Sequence, residues 1–131
     1  MDIKILISQM RNYYKSLVSV YCPILNETIY FSSDGFNHLI FDTNRKPRNI
    51  NEQYLKLKYL PKAKEVIKNC PLVTETRVIK DGSGHEITFY SLEFNKSRVI
   101  IKKKGTGKHK FQSIMPILNH HKNKKRPSRR S

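Results

Sequence analysis

The sequence predicts an α+β fold, with N-terminal helices packed on a four-stranded antiparallel sheet. Three observations carry that expectation. Apolar residues recur at three- and four-residue spacing as far as Cys70. From Leu72 onward the period shortens to strand-like runs rich in Val, Ile and Thr. Those runs are joined by connections too short for anything but antiparallel neighbours, since a parallel return needs a crossover of about a dozen residues.

Ile3, Leu6, Ile7, Met10, Tyr13 or Tyr14, and Leu17 share one helical face, which predicts a helix over roughly residues 2–18. Pro23 lies beyond its end. Thr28 to Phe31 is a short apolar run suited to an extended segment. Ser32-Ser33-Asp34 then offers N-cap side chains for a helix with Phe36, Leu39 and Ile40 on one face and His38 among them. Residues 44–49, NRKPRN, form a polar basic loop. Ile50, Tyr54, Leu57 and Leu60 return to helical spacing, and Pro61 either breaks that helix or opens the next. Ala63, Val66, Ile67 and Cys70 carry the apolar face on to Pro71.

In the second half, Leu72 to Lys80 reads as a strand and Asp81-Gly82-Ser83-Gly84 as a hairpin turn. Glu86 to Phe94 is the second strand, and Asn95-Lys96 turns into a third from Arg98 to Lys104. Gly105-Thr106-Gly107 leads to the fourth, His109 to Met115, which Pro116 ends. The domain is expected over residues 1–118. A low-complexity basic tail, 119–131, follows and is expected to be disordered alone.

The charge is segregated. Of 26 Lys and Arg, thirteen lie between Phe94 and Ser131, where there is no Asp or Glu, so that segment holds +13 of the net +16. Drift in base composition would scatter basic residues along the chain; here they gather on the last two strands and the tail. Cations crowded without counter-charges repel one another unless an anion sits among them, and the natural anion is a phosphate backbone. Arg98, Lys102, Lys104, Lys108 and His109, with Lys122, Lys124, Lys125 and Arg126 of the tail, are the expected nucleic-acid contacts.

No run of about 18 apolar residues exists, so no transmembrane helix is expected, and Asp2, Lys4 and Arg11 interrupt any signal-peptide core. No membrane partner is anticipated. Cys22 and Cys70 have no CxxC spacing and read as reduced, packed thiols of a cytoplasmic protein. Gly105-Thr106-Gly107-Lys108 is a turn and not a phosphate loop, because His109 stands where Ser or Thr is needed and no helix follows. His120-His121 make a poor metal pair, and the few acids are scattered. Neither metal nor cofactor is expected.

These groups suit RNA cleavage by the RNA's own 2′-hydroxyl, which needs a base, an acid and a cation for the developing phosphoryl charge. His38, Lys103, Lys110 and Ser113, with His109 beside them, supply such groups. Each has an ordinary reading as well. His38 adjoins Leu39 and Ile40 and would serve as a packing residue, Ser113 would serve as a structural strand hydroxyl, and Lys102, Lys103 and Lys104 cannot all face one way.

The order of elements, the stretch Ile29 to Ser33 leading into a helix with His38, the Leu60-Pro61 break, Ile67 to Pro71 before the first strand, and Ser113 on the last strand together resemble a nuclease family. It is the barnase–EndoU–colicin–RelE (BECR) ribonuclease fold, in its phage-associated toxin members, and the resemblance spans roughly Thr28 to Met115. It implies a metal-independent RNA endonuclease that acts as a toxin, with His38, a strand lysine and Ser113 contributing to the site. Lys103 is chosen over Lys102 and Lys110, and Ser113 stands where the family often has Thr. The resemblance also implies an acidic antitoxin or immunity protein as partner. The alternative is a non-catalytic RNA- or DNA-binding accessory protein, which would need the same charge but not His38.

Overall fold

A computed structural model describes residues 2–117. The first helix, α1 (Ile3–Leu17), is capped by Asp2, whose carboxylate accepts from the Lys4 N–H, and it buries Tyr14 and Leu17. Two short strands follow, β1 (Ser19–Cys22) and β2 (Glu27–Tyr30), paired antiparallel. Next come α2 (Ser33–Ile40), α3 (Ile50–Tyr59), a single 3₁₀ turn at Leu60–Lys62 with Pro61 inside it, and α4 (Ala63–Asn69). Asn49 caps α3 through the Glu52 N–H at 2.8 Å. Ser32 holds the cap position of α2, yet its side chain makes no capping bond, contrary to the expectation for the Ser32-Ser33-Asp34 stretch.

The last four strands are the expected meander: β3 (Val73–Lys80), β4 (Glu86–Phe94), β5 (Ser97–Lys104) and β6 (His109–Pro116). Asn95 and Lys96 take positive φ, 51° and 63°, as a tight two-residue hairpin requires. The sheet is larger than the four strands expected. It has six, in the order β1-β2-β6-β5-β4-β3, and it is mixed, because β2 runs parallel to β6. The extended segment expected over Thr28 to Phe31 is β2, and β1, which lies beyond the helix expected to residue 18, is four residues long and too short to display a period.

The β2–β6 pairing lasts only two residue pairs, Ile29 with His109 and Tyr30 with Lys110. The chain then leaves the sheet, and α2 lies alongside β6 in its place. Gly35 makes this possible. A Cβ there would meet the Phe111 carbonyl oxygen and lie 2.6 Å from Tyr14 Oη, whose hydroxyl donates to the Ser32 carbonyl. Gly35→Ala is therefore expected to cost about 1–3 kcal/mol through overpacking, read as a lowered urea midpoint at unchanged slope.

The helices cover one face of the sheet, α3 against β6 and α4 against β1, β4 and β5. Leu92, Val99, Ile101, Phe111 and Ile114 point into this core with Leu57, Leu60, Val66 and Ile67 from the helices. Cys22 and Cys70 are buried with their thiols against one another, and burial raises both pKa values, that of Cys70 to about 11. No described helix is long and apolar enough to cross a membrane.

Strand β6 departs from regular alternation. Its register against β5 slips between Ile100 and Ile101, so that Ile101 faces Phe111 while Ile100 faces Ser113 and Gln112 is the extra residue. Counting from Phe111, Ser113 falls on the helix-covered side; counting back from buried Ile114 it would not. The bulge reconciles the two, and Ser113 and Ile114 are consecutive buried residues.

Candidate active site

The divergence of β2 from β6 opens a cleft of about 600 Å³ beside β6, lined by Asp34, Asn37 and His38 of α2, by the loop after it, and by Lys102 and Gln112 of the sheet. His38 is half-buried here. Burial lowers its pKa, and the charges of Arg48, Lys56 and Lys102 lower it further, against a smaller opposing effect of Asp42. The neutral imidazole is thus favoured over the charged one by burial and by the fields of three cations, of which Lys102 lines the cleft with it.

Each cation is held differently. Arg48 donates through Nε to the His38 carbonyl at 2.9 Å and lies 3.6 Å from Glu52, while its own carbonyl accepts from the Gln53 amide at 2.8 Å. Lys102 comes from β5, directly opposite Lys110 on β6. Lys56 rises from α3 and is only 8% exposed. Its Nζ donates to Ser113 Oγ at 2.9 Å and to the Ile114 carbonyl at 3.3 Å. Burial, then Arg48, pull its pKa down to about 8, with Glu52 opposing. Ser113, 4% exposed, accepts from Lys56, which leaves its hydroxyl proton available to another acceptor.

Asp42 does not neutralise this group. Its carboxylate accepts from the backbone N–H groups of Asn44 and Lys46, at 2.8 and 3.0 Å, and so shapes the loop that closes one wall. Those two bonds, with the nearby cations, hold its pKa below the usual carboxylate range.

The expected residues are distributed as follows. His38 lines the cleft, whereas Ser113 does not: it is buried, with its hydroxyl held by Lys56. Lys110 lines a neighbouring hollow of about 370 Å³ with Lys102, Lys104, Lys108 and Gln112. Lys103 does not join them. It pairs with His109 across β5–β6 and so faces the other way from Lys102; Lys102 occupies the place anticipated for it. His109, 7% exposed, is stacked on Tyr90 at 5.7 Å between ring centroids, with Nδ1 3.8 Å from Glu27. It lies in a separate pocket with Lys103, Lys108 and Tyr30, and burial lowers its pKa. Lys104 pairs with Asp81 at 3.5 Å, and Arg98 donates to Glu93 at 2.7 Å, so Arg98 is a matched ion pair and not a loose cation. Lys122, Lys124, Lys125 and Arg126 lie outside the described residues.

Lys56 and Arg48 were not anticipated. A signal for Lys56 existed: the buried face of α3 runs Gln53, Lys56, Leu57, with Leu60 one turn on, so two polar residues share the apolar stripe. Among the described residues, no group of three or more His, Cys, Asp or Glu is placed to hold a metal. The chain matches no protein-family model, no curated protein and no solved structure.

Proposed function

We propose that the protein is a metal-independent endoribonuclease of the BECR type, acting as a toxin on RNA. The observation that carries this reading is that His38 and Lys102 line one cleft, where burial and the charges of Arg48, Lys56 and Lys102 lower the His38 pKa. A histidine surrounded by cations is kept free of its proton, which suits a general base. The cations themselves suit a phosphodiester and its transition state.

In this scheme His38 takes the proton of the 2′-hydroxyl, and the O2′–P bond forms as the P–O5′ bond breaks. Lys102, which lines the cleft, balances the charge on the phosphoryl oxygens, and Arg48 adds its field from behind His38. Solvent in the open cleft supplies the proton for O5′, and Lys56, charged at neutral pH with a pKa of about 8, acts on His38 through its field. The products are a 2′,3′-cyclic phosphate and a 5′-hydroxyl. An acidic antitoxin or immunity protein would cover the basic face.

The test is incubation of the purified protein with RNA in the presence of EDTA, with end-group analysis of the fragments. Cyclic phosphate ends support the reading, and intact RNA in a sample that binds it selects the non-catalytic binder. Lys102→Ala is expected to lower kcat/KM at least tenfold, whereas Lys103→Ala, on the other face, changes it less than threefold. Equal losses from both would remove Lys102 from the site.

A further inference from the structure

The face of the sheet that the helices leave open carries a row of side chains in strict register. Arg77 of β3 is opposite Phe89 of β4, Phe89 is opposite Lys102 of β5, and Lys102 is opposite Lys110 of β6. Neighbouring strands lie about 4.8 Å apart, so the row spans roughly 14 Å. It begins at an exposed guanidinium, passes an aromatic ring, and ends at the two lysines beside the His38 cleft. The Arg77 guanidinium carbon sits 4.9 Å from the Phe89 ring centroid. Next to the ring is a hollow of about 370 Å³, walled by Arg77, Phe89, Arg98, Ile100 and Met115.

This surface is unlike a bare cationic patch. Phe89, Ile100 and Met115 are apolar and only half-buried, although their strand neighbours Tyr90, Val99 and Ile114 face the packed core. Glu75 also borders the hollow, and Glu93 is occupied by Arg98. Among the described residues, Arg77, Lys102 and Lys110 have no carboxylate within ion-pair distance. An apolar floor whose ring carries a guanidinium, with the unmatched Lys102 beside it, matches a planar base and its neighbouring phosphate. A folded duplex hides its bases from such a floor, whereas a single strand can lay one on it.

We infer that the open face between β3 and β5 is a nucleobase subsite for single-stranded RNA, with a base resting against the Phe89 ring and the Arg77 guanidinium stacked on it and a flanking phosphate on Lys102. This rests on the proposed function for its direction, since Lys102 would link the subsite to the scissile phosphate. It defines the substrate more narrowly: the strand must be unpaired at the nucleotide next to the cut.

The experiment is fluorescence anisotropy with a labelled 2′-O-methyl RNA decamer, which has no free 2′-hydroxyl and cannot be cleaved by this route. It is run at fixed salt, single-stranded and as a duplex. Base–aromatic stacking of about 1–3 kcal/mol predicts that Phe89→Ala and Phe89→Leu weaken single-strand binding roughly 5- to 150-fold. Phe89→Tyr should stay near wild type, and duplex binding should change little in all three. Phe89→Leu keeps the apolar bulk, so it guards against a loss caused by misfolding, and circular dichroism checks each variant. Wild-type affinity of Phe89→Leu for the single strand overturns the subsite while leaving the cleavage reading standing. Failure of the wild type to bind the decamer overturns both. Normal Phe89-dependent binding without any cleavage of ordinary RNA keeps the subsite and sinks the nuclease.

Discussion

Replacing His38 by alanine is expected to reduce RNA cleavage by about 10²- to 10⁴-fold, the usual contribution of a positioned general base, with RNA affinity changed little. The imidazole is half-buried on α2 and faces the cleft, whereas the neighbouring Leu39 and Ile40 supply the packing. Removing it should therefore leave the fold close to wild-type stability. The pH profile adds a sharper check. Burial and the charges of Arg48, Lys56 and Lys102 all lower the His38 pKa, so the acid limb of kcat/KM belongs below the ordinary histidine value of about 6.5. A general base acts when deprotonated, so activity rises with pH through that limb. Lys102→Ala removes one of the lowering charges and should move the limb to higher pH. A limb that stays in place, or an active His38→Ala protein, would dismiss the imidazole as base. Stability carries the same sign. The folded state binds the His38 proton less tightly than the unfolded chain, so His38 contributes stability above about pH 6.5 that is lost as pH falls toward its lowered pKa.

The meander and the long helices were legible because each is a repeated local signal. Asp81-Gly82 and Asn95-Lys96 mark turns, and Leu92, Val99 and Ile101 alternate with outward residues. What the sequence concealed came from single events. Strand β1 is too short to show a period, and although Thr28 to Phe31 reads as extended, its parallel pairing joins Tyr30 to Lys110 across eighty residues. The bulge at Gln112 turns Ser113 toward α3 and has no Gly or Pro to announce it. The choice among Lys102, Lys103 and Lys104 depended on register, and one residue of slip exchanges the two faces of a strand. His38 could be singled out because few histidines are present, but its partners Arg48 and Lys56 come from a loop and a helix that local pattern cannot bring together.

Lys56 should reveal itself by a conflict between stability and activity. A lysine 8% exposed whose pKa falls to about 8 is held in its charged form against its environment at pH 7. A difference of roughly two and a half units from the ordinary value corresponds to about 3 kcal/mol. The lost bonds to Ser113 Oγ and the Ile114 carbonyl offset part of that in a Lys56→Met protein, at about 1 kcal/mol each. The variant is therefore expected to be at least as stable as wild type at pH 7, yet less active below pH 6.5, because His38 loses one of the charges that lower its pKa. Its pH dependence separates this from an ordinary core substitution. The unfolded chain binds the Lys56 proton more tightly than the folded one, so the wild type gains stability as pH rises from about 8 toward 10.5. Lys56→Met lacks that gain, and the difference between the two proteins should shrink over this window while other titrating groups cancel. Denaturant unfolding at pH 7, 8 and 9.5 measures it. A Lys56→Met protein destabilised by several kcal/mol at every pH would make the lysine a structural strut for β6, and its loss of activity would then say nothing about the field at His38.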